Sequence, residues 1–123
     1  MCILFVAVNQ HNDYPLIIAA NRDEFFNRDT AASHIWDSEH GIIAGKDLQA
    51  GGAWMGINKH GYIASLTNIR DPQKICTDAI TRGELVSHYL QKPINKYHQS
   101  LSASKDNYNG YNLLFGKWNE LKV

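Results

Sequence analysis

The feature that most restricts the fold of this chain lies at its start. Two apolar runs, Ile3 to Val8 and Leu16 to Ala20, flank the polar stretch Asn9-Gln10-His11-Asn12-Asp13-Tyr14-Pro15. Such a pair reads as a β-hairpin. If Val8 faces Leu16, every other partner follows by counting along the antiparallel ladder, and Cys2 falls opposite Arg22 on the same sheet face. Both runs are apolar on consecutive residues rather than alternating, which predicts strands covered on both faces and therefore a sheet inside a layered fold.

That corner has a chemistry of its own. Cysteine is small enough for an aminopeptidase to remove Met1, which makes Cys2 the chain terminus. A free α-amine ionises at about pH 7.7–8.0, so near neutral pH a useful fraction is unprotonated and can accept the thiol proton. Arg22 alongside favours thiolate over thiol. One residue then supplies both nucleophile and base. The plainer reading is that a cysteine opening a strand is a small apolar residue, and that Asn21-Arg22-Asp23-Glu24 after a strand is a solvated turn with local ion pairs.

Composition narrows the class. A chain of 123 residues with 44% hydrophobic content can bury one core, so a single domain, or part of one, is expected over residues 1–123. Twelve basic residues balance twelve acidic ones at a formal net charge of zero. That balance offers no electrostatic footprint for nucleic acid or an acidic membrane surface. Cys2 and Cys76 are the two cysteines and show no CxxC spacing, and the six histidines are scattered without ligand spacing. Neither a metal site nor a disulfide framework is expected. The opening apolar run lacks a basic flank, no stretch is long enough to span a bilayer, and a cytoplasmic location is the expectation.

Further along, Phe25 to His34 reads as irregular, and Ile35-Trp36 with Gly41 to Gly45 suggests short strands. Ala53 to Asn58 and Tyr62 to Asn68 flank Lys59-His60-Gly61 and read as a second hairpin. Gly51-Gly52 serves either a tight start to the strand or close approach of a ligand. Thr81-Arg82-Gly83-Glu84 has the spacing of a capping box, and a helix is predicted from about Arg82 to Gln91, stopped by Pro93. Ile94, Tyr97 and Leu101 repeat the helical spacing to about Ser104, with aromatic residues placed for packing. A strand is predicted over Tyr111 to Phe115. Strands first and helices later, without βαβ alternation, point to the α+β class. There is no P-loop, GxGxxG or HExxH.

Taken together, several motifs carry a resemblance. They are Met1-Cys2 before a strand, Asn21-Arg22-Asp23-Glu24, Ala44-Gly45-Lys46-Asp47, Gly51-Gly52-Ala53-Trp54-Met55-Gly56, Leu66-Thr67-Asn68, Arg82-Gly83-Glu84-Leu85-Val86 and Asn109-Gly110-Tyr111-Asn112-Leu113-Leu114. In this order, over almost the whole chain, they resemble the NRDE family, also called the transport and Golgi organisation family. That family is similar to N-terminal nucleophile (Ntn) hydrolases. The resemblance implies an αββα sandwich, of which this chain looks like the N-terminal portion, β-hairpins followed by helices.

A more distant similarity runs to choloylglycine hydrolases and penicillin V acylases. Their Asn-x-x-Gly turn and Leu-x-Asn strand end match Asn58-Lys59-His60-Gly61 and Leu66-Thr67-Asn68. The resemblance implies Cys2 as nucleophile, Arg22 as its electrostatic partner, Asp23 or Glu24 orienting the amine, and the backbone amide of Asn68 as an oxyanion donor. It departs in one respect: Arg22 and Asp23 are adjacent, so on an extended strand they point to opposite faces while Glu24 shares the face of Arg22.

Two functions, and a third reading without one, follow as expectations. One is an amide-bond hydrolase acting on a small N-acyl substrate, with no cofactor. The other is a carrier, since eukaryotic members are described as haem chaperones, with haem bound through Cys2 or a histidine. A third is an inactive fragment. The expected partners are accordingly a small-molecule substrate or haem. A homo-oligomeric copy or the missing C-terminal half is expected to cover uncovered strands.

Overall fold

A computed structural model describes residues 2–123, and Met1, whose removal the terminal-cysteine chemistry requires, lies outside the described residues. The order of elements is β1 (Ile3–Val8), β2 (Leu16–Asn21), β3 (Thr30–Ile35), β4 (Ile43–Asp47), β5 (Met55–Ile57), β6 (Tyr62–Asn68), α1 (Gly83–Gln91), α2 (Tyr97–Ser104), β7 (Tyr111–Lys117) and β8 (Glu120–Lys122). The chain is α+β: β1 and β2 form a two-stranded sheet and β3 to β8 a six-stranded sheet in sequence order, with every described strand pairing antiparallel.

The opening hairpin has the register that counting predicts. Val8 pairs with Leu16 and Ile3 with Asn21, which continues to Cys2 opposite Arg22. Its covering is different. Ile3, Val6, Val8 and Ile17 are exposed, and Phe5 is 62% exposed. The expectation of strands covered on both faces therefore fails among the described residues. The reason is that β1 and β2 pair only with each other, and a two-stranded ribbon offers little to bury against. Leu16 and Ile18 do turn inward, sharing an apolar cleft of about 340 Å³ with Ile43, Met55, Ile57 and Ile63 of the larger sheet.

The core lies on the other face of that sheet. Ala44 of β4 and Gly56 of β5 are paired neighbours, and a Cβ on Gly56 would meet both the Ala44 side chain and Leu90 of α1. Ala64, Leu66, Leu113 and Phe115 complete the sheet side, while Leu85, Val86, Tyr89 and Leu90 supply the helix side. Leu85, Val86, Tyr89 and Leu90 stand at i, i+1, i+4 and i+5, one buried stripe on a helix. Tyr97 joins from α2, its ring packed on Tyr89 and Phe115, and its hydroxyl donates to the Leu85 carbonyl at 3.0 Å. Burial pushes its phenol up to about 12. The turn of the second hairpin is tied to the same helix: buried Asn58 donates to the Leu90 carbonyl at 3.0 Å and accepts from the backbone of His60 and Tyr62.

Three local expectations are corrected. The stretch read as irregular contains β3, whose sequence lacks apolar alternation because it is an exposed edge strand with a register shift between Ala31 and His34. The capping box does not form. Arg82 is the N-cap of α1, no side chain caps it, and the Glu84 amide donates instead to the Thr81 carbonyl. Ile94 stays outside α2, which begins after Lys96 in a left-handed conformation at φ 62°. β8 returns from β7 and was not foreseen, being three residues of mixed polarity.

Candidate functional site

One cleft of about 390 Å³ is lined by Cys2, Arg22, Asp23, Glu24 and Asn68, the five residues singled out from the sequence. The hairpin register brings Cys2 and Arg22 there, since both sit one step beyond the last paired residues of β1 and β2. Cys2 is half-buried, and its Sγ–H donates to the Asp23 carbonyl at 4.0 Å. Arg22 and Glu24 share a face and pair at 3.9 Å, while Asp23 between them is exposed. Asn68 arrives at the end of β6, where it pairs with Tyr111.

The site also holds residues to which sequence reasoning assigned no role. Asp47, at the end of β4, is 8% exposed. Its Oδ2 accepts from Arg28 Nε at 2.9 Å and Nη2 at 2.6 Å, and lies 3.8 Å from Arg22. Its Oδ1 accepts from the amides of Gln49 and Ala50 at 3.0 and 3.3 Å. Arg28 in turn reaches Glu24 at 3.9 Å. Arg22, Glu24, Arg28 and Asp47 thus close into a ring in which charges alternate, so the ring as a whole is neutral. Burial pushes the Asp47 carboxyl up, but the hydrogen bonds from Arg28 and from the amides of Ala50 and Gln49 outweigh it and hold the group below the usual carboxylate range. The same hydrogen bond raises Arg28, against the opposing effect of its partial burial.

Trp54 forms one wall and takes the Arg22 guanidinium over its ring at 5.0 Å. This cation–π contact orients Arg22 along the cleft. Gly52 allows the opposite wall to close: a Cβ there would lie 2.5 Å from the Gly83 backbone, so the start of β5 meets the start of α1. Gly51-Gly52 is expected to serve a tight strand start or approach of a ligand, and what Gly52 admits is neither but the chain's own backbone at Gly83. Arg82, next to Gly83, donates from Nη1 to the Gly110 carbonyl at 2.9 Å. A last wall is the segment around Cys76, whose backbone exchanges two hydrogen bonds with the Asn109 side chain at 2.8 and 2.9 Å.

Asp47, Trp54 and Arg82 each stand inside a motif that carried the family resemblance, so a signal existed. Arg28 carried none, being an arginine in an irregular stretch. Among the described residues no group of histidine, cysteine or acidic side chains is arranged to hold a metal ion.

Fold and cleft define a class: an α+β protein of antiparallel sheets in which a half-buried cysteine faces an arginine–carboxylate ring. The family model of Transport and Golgi organisation 2 matches residues 1–123. The chain belongs to that family. It is 39% identical to the mouse Transport and Golgi organization 2 homolog over 123 residues, covering 93% of this chain and 44% of the mouse protein. The human homolog is 38% identical with the same coverage, and the Drosophila melanogaster protein 30% identical over 131 residues, 93% of this chain and 45% of the fly protein. The chain therefore spans less than half the length of these curated relatives. No helix is long and apolar enough to cross a membrane among the described residues.

Proposed function

We propose that this chain carries the nucleophile side of an amide-bond hydrolase related to the N-terminal nucleophile enzymes, with a small N-acyl compound as substrate and no metal or cofactor. The observation that supports this reading is the convergence of Cys2, Arg22, Asp23, Glu24 and Asn68 on one cleft, from three separate strand ends.

In the proposed reaction Met1 has been removed and the α-amine of Cys2 takes the proton of its own thiol. The sulfur attacks the amide carbon, and the oxyanion that forms is held by the backbone amide of Asn68. The α-ammonium returns its proton to the departing nitrogen as the carbon–nitrogen bond breaks, leaving a thioester on Cys2. Water, deprotonated by the same amine, cleaves the thioester and releases the carboxylic acid. Arg22 stabilises the thiolate from its place over Trp54, and Glu24 or Asp23 orients the amine.

The test combines intact mass with a thiol-directed acyl probe. Protein lacking Met1 should form a stable adduct at Cys2 and turn over members of an N-acyl panel, and Cys2→Ala should do neither. Failure of Cys2 to label anywhere from mild acid to mild base sinks the proposal. A haemin titration giving a saturable Soret shift that Cys2→Ala abolishes would favour the carrier role instead.

A further inference from the structure

The cleft contains three guanidinium groups, and two of them are neutralised by the ring of Glu24 and Asp47. The third, Arg82, is not. Among the described residues it makes one hydrogen bond, to the Gly110 carbonyl, and no ion pair. A guanidinium has five N–H donors in a planar fork, so four are left over. Yet the side chain is half-buried, on the wall of the cleft that holds Cys2.

Cost and position point the same way. Desolvating a cation is unfavourable unless an anion or several acceptors replace the lost water. Burial lowers the Arg82 pKa more than the charges of Glu24 and Cys2 raise it, and the like charge of Arg28 adds to the lowering. Arg28, equally cationic, is raised because Asp47 meets it. The contrast isolates Arg82 as the cation of this cleft whose compensation is incomplete, and it lines the same cleft as Cys2.

We infer that Arg82 is the specificity residue of the site and that the ligand it receives carries a carboxylate. Resting on the hydrolase reading above, the substrate class is an N-acyl amino acid or similar N-acyl carboxylate, its acyl carbonyl at Cys2 and its carboxylate on the unused fork of Arg82. A carboxylate accepts two parallel N–H bonds from such a fork, which fixes orientation as well as adding affinity. The Gly110 contact uses Nη1 and leaves Nη2 and Nε without a protein partner among the described residues.

The test uses protection of Cys2, which needs no turnover. Two probes identical but for charge, N-acetylglycine and N-acetylglycinamide, compete with iodoacetamide for Cys2 in protein carrying Cys76→Ser, and alkylation is read by peptide mass. With Arg82 present, N-acetylglycine should protect at about one-tenth the concentration the amide needs. Arg82→Gln should erase that difference, and Arg82→Lys, which keeps charge but not the fork, should retain part of it. Thermal melting identifies a variant that has lost the Gly110 tie and unfolded, and for that case the Lys variant carries the test. Equal protection by the two probes in unmodified protein, or a preference that survives Arg82→Gln, overturns the inference. Failure of the hydrolase reading looks different: carboxylate preference stays intact while no acyl adduct and no product form.

Discussion

Asp47 is the residue whose removal should matter most to the architecture of the cleft, and the effect can be worked from its contacts. One carboxylate oxygen takes two hydrogen bonds from Arg28 and the other takes two turn amides. A charge-assisted hydrogen bond contributes about 1.5–3 kcal/mol and a capped turn amide about 1 kcal/mol, and the four are not additive because they share one group. Asp47→Asn keeps an acceptor for the amides and loses the charge, for an expected loss of about 2 kcal/mol. Asp47→Ala loses all four bonds and leaves Arg22 and Arg28 to share Glu24 alone at 3.9 Å, for about 3–4 kcal/mol. At about 4 °C per kcal/mol for a chain of this size, melting temperatures should fall by roughly 8 and 14 °C.

The pH dependence supplies the sharper check. Because the folded pKa of Asp47 lies below the ordinary 3.8, its contribution is fully present above 3.8 and is lost as pH falls through the folded value. The deficit of Asp47→Asn, measured by urea titration, should therefore be largest near neutral pH and shrink below about pH 4. An Asn variant within about 0.5 kcal/mol of the parent at pH 7, or a deficit that stays constant down to about pH 3, would refute the assignment of charge as the cause.

Two further outcomes follow from packing. Gly52→Ala places a methyl against the Gly83 backbone, which cannot retreat without moving the start of α1, and should cost about 1–3 kcal/mol by denaturant unfolding and weaken acyl-probe labelling of Cys2. Tyr97, whose phenol is pushed up to about 12, stays protonated in the fold at a pH where the unfolded chain ionises. Stability should thus decline as pH rises from about 10 towards 12, and Tyr97→Phe should remove that part of the decline while costing about 1 kcal/mol at neutral pH through the lost bond to the Leu85 carbonyl.

How far the chain announces itself differs from region to region. The first hairpin was legible as a strand pair whose register followed once Val8 was set opposite Leu16, and β5 with β6 was legible as a hairpin around a turn whose Gly61 sits at φ 80°. α1 was legible from its apolar stripe, and its cap was not. The helix starts one residue later than the Thr81 spacing requires, with Arg82 as N-cap and the Glu84 amide on the Thr81 carbonyl, a local backbone geometry that residue types alone do not fix. β3 and β8 were missed for the related reason that edge strands need not alternate.

At the site, the sequence placed Cys2 opposite Arg22 on the condition that Val8 faces Leu16, a pairing between near neighbours that the hairpin adopts. It could not determine the exposure of the hairpin, which depends on what packs over it. Nor could it determine the ring that joins Arg22 and Glu24 to Arg28 and Asp47, or the position of Arg82. Asp47 lies 19 residues from Arg28, and Arg82 is 28 residues from the Gly110 carbonyl it meets. Periodicity carries no information over such distances; the sheet and the close approach of Gly52 to Gly83 fold those residues onto one cleft, and charge balance among them exists only after that has happened.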